Sequence, residues 1–237
     1  MTDHIVRSYD KELEVLGRKI AEMGGIAEKM LSDAMDALAE YDNDLALATV
    51  AADARLDALQ RDIEDQAIMT IARRQPMAVD LREIVAAIRV SGDLERVGDL
   101  AKNIAKRAVK LANEPHIPRA IVGLKSMHET AAMLLKDALD AYALRDAARA
   151  RQVWTNDAEL DALEDSVFRD LLTFMMEDPR NISFCTHLLF CSKNIERIGD
   201  HSTNIAETVV YLVTGEALPM DRPKGPSLLS NQPPRTV

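Results

Sequence analysis

The segment Asp93–Lys106, DLERVGDLAKNIAK, returns later in the chain as Asn194–Glu207, NIERIGDHSTNIAE. Both copies contain Glu-Arg-x-Gly-Asp followed by Asn-Ile-Ala at the same spacing. A second pair of segments lies upstream of these copies, because residues 53–59, DARLDAL, recur as residues 157–163, DAELDAL. Two pairs of segments in the same order indicate an internal duplication, so we expect the fold to repeat as well.

The composition favours an all-α fold. Hydrophobic residues make up 47% of the 237 residues, whereas aromatic residues contribute only 4%, and Ala, Leu, Met and Ile are abundant, a bias typical of helical proteins. The formal net charge of -10 and the pI near 5.0 would repel a phosphate backbone, which argues against nucleic-acid binding.

Apolar residues recur at three-and-four spacing between short breaks rich in Asp, Asn and Pro. This pattern predicts two tandem three-helix bundles, with six long helices over residues 4–41, 45–74, 76–113, 118–144, 147–177 and 182–214. Pro76 is expected to open the third helix, because proline is tolerated in a first turn. The predicted units are a first repeat at 1–114, a second repeat at 115–217 and a disordered tail at 218–237.

Each repeated segment contains an acid four residues before an aspartate. The four copies are Asp53/Asp57, Glu95/Asp99, Asp157/Asp161 and Glu196/Asp200. Two like charges four apart on a helix destabilise it by roughly 0.2–0.5 kcal/mol, so either water and salt screen each pair or a cation lies between the carboxylates. On the third helix the apolar stripe lies opposite the acids, which predicts that Glu95 and Asp99 are on an exposed face.

The acids match between the two copies, whereas a neighbouring position such as Lys102 against Thr203 differs, as we expect of a solvated face that drifts after duplication. This recurrence favours metal binding over a merely solvated acidic face. Four carboxylates in each half, without His or Cys, suit iron, Mn²⁺ or Mg²⁺ and would be unusual for structural zinc. The predicted metal ligands are Asp53, Asp57, Glu95, Asp99, Asp157, Asp161, Glu196 and Asp200.

Three further residue types recur beside the acids, as the pairs Arg96/Arg197, Asn103/Asn204 and Gly98/Gly199. The arginines are expected to pair with a partner carboxylate, to help hold an anion or to form surface salt bridges. The asparagines would add a neutral oxygen ligand or a supporting hydrogen bond around the metal. The glycines cost stability inside a helix and predict the close approach of a neighbouring backbone or a ligand.

The remaining features place the chain in the cytoplasm. Cys185 and Cys191 lie too far apart along a helix for a CxxC redox or zinc pattern, so we interpret them as buried thiols in a reducing compartment. No N-terminal cationic segment leads into an apolar stretch, and no run approaches about 18 uncharged apolar residues. We therefore expect no direct membrane insertion, although docking on a membrane complex stays open.

At the duplicated motifs the sequence resembles the PhoU family, the regulators of bacterial phosphate uptake. The resemblance covers residues 4–214 and rests on both Asp-x-x-Leu-Asp-x-Leu segments and both Glu-Arg-[Val/Ile]-Gly-Asp-x-x-x-Asn-Ile-Ala segments. It implies two three-helix bundles with a pseudo-twofold relation and multinuclear metal clusters on the acidic motifs. No catalytic residues are implied.

The same resemblance implies partners and a role. The chain would be a cytoplasmic accessory protein, peripheral at the inner membrane through its partners, that links the ATPase subunit of a phosphate ABC transporter to a sensor histidine kinase. It would keep phosphate-starvation genes off when phosphate is plentiful. A homodimer is a further expectation, and the sequence alone does not decide the oligomeric state.

Two alternatives are considered. A ferritin-like di-iron or di-manganese enzyme would need Glu-x-x-His on facing helices with ligands directed into the bundle core, and none of the five histidines stands three residues after a Glu. A metal-free helical adaptor, whose acidic faces dock on basic partner surfaces, stays open. No Gly-rich phosphate loop or GxSxG motif points to another enzyme class.

Overall fold

The computed structural model describes residues 2–112, 114 and 117–219, with side chains from residue 11 onward. Within these residues the chain forms six α-helices and one short 3-10 helix at Pro179–Asn181. The helices are α1 Thr2–Glu40, α2 Asn43–Arg74, α3 Val79–Leu111, α4 Pro118–Leu144, α5 Ala147–Glu177 and α6 Ile182–Thr214. The predicted all-α fold with six long helices is confirmed.

Local capping chemistry explains where several helices begin and end. The Asp42 carboxylate accepts a hydrogen bond from the Leu45 amide at 2.9 Å, and Asp146 accepts bonds from the amides of Ala148 and Arg149. These bonds satisfy amides that have no partner within the helix. Gly215 ends α6 at φ 77°, a left-handed conformation that glycine adopts without steric cost.

The start of α3 differs from the prediction. Proline at position 76 was expected to open the helix, but α2 ends at Arg74 and α3 begins only at Val79. Gln75 has a left-handed φ of 49° and Ala78 also has φ 49°. Proline disfavours helical geometry in the residue before it, so α2 ends just before Gln75. The next helix, α3, begins only four residues after Gln75, at Val79.

The three helices of each half pack against one another, α1 with α2 and α3, and α4 with α5 and α6. Short connections join them, which makes successive helices antiparallel. The halves meet through two further contacts, α3 with α6 and α1 with α4. The α3 helix therefore has packed neighbours on three sides, and so has α6, while α2 and α5 contact only helices of their own half.

The α3 and α6 helices run antiparallel across the seam between the halves. Asp93, in the first part of α3, lies beside His201 in the second part of α6, and Arg107 further along α3 lies beside His187 near the start of α6. The Arg107 guanidinium also lies over the Phe190 ring, 4.1 Å from its centre. The polar contacts thus follow the order expected for opposite helix directions.

Buried apolar side chains of both halves form one continuous core. Cys185 and Cys191 are free and buried within it, which confirms the interpretation as buried thiols, and burial raises the pKa of the Cys191 thiol to about 12. Leu218 packs against this core, whereas the remainder of the predicted tail from residue 220 lies outside the described residues. None of the described helices combines the length and the apolar character needed to cross a membrane.

Candidate metal centres

The first acidic cluster lies between α2 and α3 and consists of Asp53, Asp57, Glu95 and Asp99. Asp53 is only 8% exposed, and the other three are partly buried. The prediction of a freely exposed acidic face is therefore wrong. Periodicity placed the acids opposite the apolar stripe of α3, but α3 packs against α1, α2 and α6 at once, so little of its circumference remains in solvent.

The carboxylates of the first cluster are close enough for three of them to raise the pKa of the fourth, Glu95. Burial raises the pKa of Glu95, and the carboxylates of Asp99, Asp57 and Asp53 raise it further, against the opposing effect of Arg96. A buried carboxylate near three others is costly to ionise because both desolvation and like charge oppose the anion. The structure thus brings all four predicted ligands of the first half into one electrostatic unit.

Lys102 supplies a positive charge inside this cluster. Its Nζ lies 2.6 Å from Asp53 Oδ2 and 2.5 Å from Asp99 Oδ1, so that it joins α2 to α3. The side chain is 19% exposed, and although burial opposes its charged form, the two hydrogen bonds outweigh burial and raise the pKa of Lys102. The interpretation of this position as a drifting solvated face is wrong.

The second acidic cluster lies between α5 and α6 and consists of Asp157, Asp161, Glu196 and Asp200. Asp157 is buried, with 1% exposure, and the others are partly buried. A fifth acid joins them from α5, because burial raises the pKa of Glu164 and the carboxylates of Glu196 and Asp161 add to that rise, whereas Lys193 opposes it. Each half therefore holds a comparable group of acids between its second and third helices.

Sequence reasoning missed Glu164, although the signal was present. Glu164 lies seven residues after Asp157, and two helical turns return a side chain to the same face. The corresponding residue in the first half is the neutral Gln60, whose Nε2 donates a hydrogen bond to Glu64 Oε1. The second cluster consequently has one acid more than the first.

Lys193 was also missed, and it differs from Lys102 in its contacts. Its Nζ lies 2.8 Å from Glu196 Oε1, and the side chain is 52% exposed. This ion pair stays within α6, three residues apart, but Lys193 also interacts electrostatically with Glu164 of α5 and with Asp200. Each cluster therefore has a lysine beside it, and the two lysines differ in their hydrogen-bond partners.

Two glycines leave room for a neighbouring side chain, where the sequence predicted a neighbouring backbone or a ligand. A Cβ placed on Gly98 would overlap Leu56 of α2, and a Cβ placed on Gly199 would overlap Leu160 of α5. The Gly199 position would also bring a Cβ within 2.9 Å of Asp157 Oδ1. Because both sites are glycine, a leucine of the second helix of each half packs directly against the third helix. This contact helps to set the distance between the acids of the two helices.

The arginines and asparagines predicted to support the metal do not all lie at the acidic clusters. Arg96 is near the first cluster, with Nε 3.4 Å from Glu95 Oε2 and Nη1 3.8 Å from Asp99 Oδ2. Asn204 instead donates from Nδ2 to Asp93 Oδ1 across the seam between the halves, at 3.2 Å. The last two, Asn103 and Arg197, are exposed.

The donor atoms of both clusters are carboxylate oxygens. In the part of the chain that the structure describes, no three His, Cys, Asp or Glu side chains form a ready-made metal-binding group. In the first cluster the Lys102 ammonium stands between Asp53 and Asp99. Asp53 Oδ1 in the first cluster and Glu196 Oε2 in the second are each buried without a hydrogen-bond partner, and carboxylate oxygens are donors that suit a hard cation.

The fold and these clusters define a class, namely all-α proteins made of two tandem three-helix units, each with an acidic cluster between its second and third helices. The chain belongs to the PhoU family, because the PhoU domain model matches residues 20–108 and again residues 124–209. The two matches coincide with the two halves of the duplication.

Relatives with known names support the same assignment. The phosphate-specific transport system accessory protein PhoU homolog of Rhizobium meliloti is 53% identical over 222 residues, which cover 93% of each chain. The protein of the same name from Caulobacter vibrioides is 51% identical over 224 residues, which cover 94% of this chain and 97% of that one.

Solved structures agree in fold. The crystal structure of PhoU from Pseudomonas aeruginosa matches with a TM-score of 0.85 and 38% identity, over 88% of this chain and 100% of that one. The phosphate transport system regulatory protein PhoU from Streptococcus pneumoniae matches with a TM-score of 0.82 and 28% identity, over 90% and 100% of the two chains.

Proposed function

We propose that this chain is a non-enzymatic regulator of phosphate uptake that couples a phosphate ABC transporter, through its ATPase subunit, to a sensor histidine kinase. It represses the phosphate-starvation response when phosphate is plentiful, and it acts in the cytoplasm, at the inner membrane only through its partners. Metal ions bound by the carboxylate clusters stabilise the form that carries out this role.

One observation carries the regulatory role. Relatives that are 53% and 51% identical over more than nine-tenths of their length are named accessory proteins of phosphate-specific transport. Identity at that level over both halves supports a shared role in the regulation of phosphate transport. The coupling to a kinase rests on the family resemblance of the duplicated motifs.

The metal part of the proposal rests on the composition of the clusters. Carboxylates without His or Cys favour iron, Mn²⁺ or Mg²⁺ over zinc. Burial, and after it repulsion from neighbouring carboxylates, raises the pKa of Glu95 and Glu164, and a bound cation would lower that repulsion. Asp157 and Glu196 face each other's helices in the second cluster, and they are the residues that would hold the ion there.

A metal-free adaptor is the second candidate, and Lys102 is the observation that favours it. The ammonium already supplies a positive charge between Asp53 and Asp99. If Lys193 fulfilled the same function in the second half, the acidic clusters would need no metal and would serve only to shape the surface that partners contact.

Deletion of the gene tests the regulatory role. In phosphate-rich medium we expect a reporter of phosphate-scavenging genes to turn on in the deletion strain and to turn off again when the wild-type chain is supplied. Unchanged reporter activity in the deletion strain would count against the proposed role.

Elemental analysis of the purified full-length chain tests the metal. We expect stoichiometric iron or manganese, and we expect Asp157→Asn together with Glu196→Gln to reduce it, whereas Glu159→Gln, a change at an exposed acid of the same helix, should not. Complementation by a chain that binds no metal would instead favour the metal-free adaptor.

Affinity capture tests the partners separately. A tagged wild-type chain is expected to retain the transporter ATPase subunit and the histidine kinase from cells grown in phosphate-rich medium, and to fractionate with the membrane only when the transporter is present. Retention of neither partner would contradict the coupling role while leaving metal binding intact.

A further inference from the structure

The two helices of the seam between the halves form a basic region near one end. Residues 100–112 of α3 include Lys102, Lys106, Arg107 and Lys110 but no acid. Residues 182–193 of α6, which lie opposite in the antiparallel pair, also contain no acid. The whole chain has 39 acidic residues and a formal net charge of -10, so this part of the seam is basic in an otherwise acidic chain.

Arg107 lies at the centre of the basic region. Its Nη1 donates a hydrogen bond to His187 Nδ1 at 3.1 Å, and its guanidinium lies over the Phe190 ring, 4.1 Å from the ring centre. Its Nε is buried without a hydrogen-bond partner. Among the residues that the structure describes, no carboxylate forms an ion pair with Arg107, so direct contact with an acid of the chain does not neutralise this charge.

The contact with Arg107 determines what His187 offers to a ligand. A guanidinium only donates hydrogen bonds, so Nδ1 accepts, and a neutral ring then carries its proton on Nε2. Burial lowers the pKa of His187, and the charges of Arg107 and Lys110 lower it further against the opposing carboxylate of Glu114. At pH 7 the ring is therefore neutral and adds an N–H donor to the region.

Two exposed apolar side chains lie on the same helix as His187. Phe190 is 52% exposed and Ile182 is 49% exposed, and a spacing of eight residues places both on one broad face of α6. Aromatic residues and arginine are enriched at protein–protein interfaces, where they contribute much of the binding energy. The region therefore combines cations with an apolar surface that a small inorganic anion would leave unused.

The helix dipole alone does not account for the basic residues. Cations are favoured in the last turn of a helix, which includes Lys110. Arg107 lies before that turn and packs across onto α6. The duplication does not repeat the feature either, because the residues of α6 that correspond to Lys106, Arg107 and Lys110 are Glu207, Thr208 and Tyr211.

Four residues define what we call the basic seam site, namely Arg107, Lys110, His187 and Phe190. We propose that the basic seam site docks an acidic segment of a partner protein. Carboxylates of that segment accept hydrogen bonds from the two cations and from His187 Nε2, and a neighbouring apolar side chain packs on Phe190. The polar groups of the site only donate, so they select a ligand that only accepts, as an ionised carboxylate does.

The surroundings favour a peptide over other anions. An exposed aromatic ring gives a peptide side chain a surface to bury, whereas the overall net charge of -10 repels a nucleic-acid backbone. Docking at the basic seam site stands whether or not the acidic clusters hold metal ions.

A photo-reactive side chain tests the site in the full-length chain. Benzoylphenylalanine in place of Ile182 retains an apolar group on the same face of α6 and leaves the four residues of the site intact. Irradiation of intact cells joins this group to the molecule that contacts the face, and mass spectrometry locates the adduct in that molecule. We expect the adducts in a protein segment rich in Asp and Glu.

Substitutions show whether the basic seam site holds that segment. Arg107→Gln should reduce the yield of adduct about tenfold, as the loss of a central interface residue does. Lys125→Gln, which removes a charge at an exposed position of α4, should leave the yield unchanged. Lys110→Gln changes an exposed residue, should also reduce the yield, and replaces Arg107→Gln if circular dichroism shows that the latter does not fold.

A synthetic peptide with the sequence of the mapped segment measures the contribution of its carboxylates. It should bind the purified wild-type chain in fluorescence anisotropy, and the same peptide with Gln and Asn in place of Glu and Asp should not. Equal binding of both peptides would overturn the proposal. Displacement of the acidic peptide by inorganic phosphate, but not by potassium chloride at the same ionic strength, would overturn it in favour of a free anion.

The cross-linking results are equally decisive. Absence of any adduct, adducts in a segment without acids, adducts on RNA or lipid, or adducts that join two copies of this chain would each overturn the proposal. Equal yields from the wild type and from folded Arg107 and Lys110 variants would do the same. Elemental analysis of the same variants measures metal content separately, so these results do not depend on the proposed metal binding.

Discussion

Asp93 Oδ1 and His201 Nδ1 lie 2.9 Å apart, although 108 positions separate the two residues in the chain. The same oxygen accepts a hydrogen bond from Asn204 Nδ2 at 3.2 Å. Asp93 thus ties α3 of the first half to α6 of the second. The duplicated position in α6 is Asn194, so this link belongs to the contact between the halves and does not repeat within each unit.

Asp93→Ala should destabilise the protein by about 1–3 kcal/mol, because it leaves polar groups of His201 and Asn204 without their acceptor in a partly buried seam. Urea unfolding monitored by circular dichroism would measure the change. Asp93→Asn retains an oxygen acceptor and should cost less. An exposed acid such as Glu159 changed to alanine should stay within about 0.5 kcal/mol, and a similar small effect at Asp93 would show that the seam does not depend on this contact.

Gly98→Ala should also destabilise the chain. The new methyl would overlap the buried Leu56 side chain, and overpacking a core costs typically about 1–3 kcal/mol, more than the gain in helix propensity of about 1 kcal/mol. Gly92→Ala in the same helix is a matched control, because no atom lies within 4 Å of its added Cβ. Thermal melts should show Gly98→Ala below the wild type and Gly92→Ala at or above it, and equal melting temperatures would contradict the close approach of α2.

Asp146→Ala should cost about 1 kcal/mol by removing the cap of α5. Its carboxylate accepts hydrogen bonds from two amides, at 2.9 and 3.0 Å, and alanine leaves both without a partner from the chain. Asp146→Asn preserves the accepting oxygen and serves as the control in the same denaturation assay. If the asparagine and alanine variants lost equal stability, the capping bonds would not be the cause.

Glu164→Gln should stabilise the metal-free protein at pH 7 and have little effect near pH 4. The pKa of Glu164 is raised in the folded chain, first by burial and then by neighbouring carboxylates, so the folded state binds this proton more tightly than the unfolded state does. Stability is therefore lost as the pH rises through the raised pKa, and glutamine removes that loss. Urea unfolding in the presence of a chelator, at pH 7 and at about pH 4, measures the difference in stability between Glu164→Gln and the wild type. Glu159→Gln is the control.

A stabilising effect of Glu164→Gln that is equal at both pH values would indicate a packing gain instead of relieved charge. Gln60 at the corresponding place in the first half shows that the fold accommodates the neutral side chain.

The helices and most of their ends could be predicted because the signals are local. Apolar periodicity defines each stripe, and Asp42, Asp146 and Gly215 act within one turn of the helix that they cap. The start of α3 escaped prediction because the left-handed φ of Ala78 has no signal in the residue type itself.

The acids were identified from the sequence, but their burial was not. A helical wheel shows only a residue's position relative to its own apolar stripe, whereas the burial of Asp53 and Asp157 depends on how α2 and α5 pack on their neighbours. The contact of Lys102 with Asp53 depends on the same interhelical spacing, which the leucine seated on Gly98 helps to set.

The antiparallel pairing of α3 and α6 gives the molecule two similar ends that point in opposite directions. Met77 lies just before α3 and is 80% exposed, and Met176 lies in the last turn of α5, six residues before α6 begins, and is 85% exposed. Since each of these helices has 33 residues, its length is about 50 Å at 1.5 Å per residue. Two molecules that each contacted one of these ends would therefore bind about 50 Å apart.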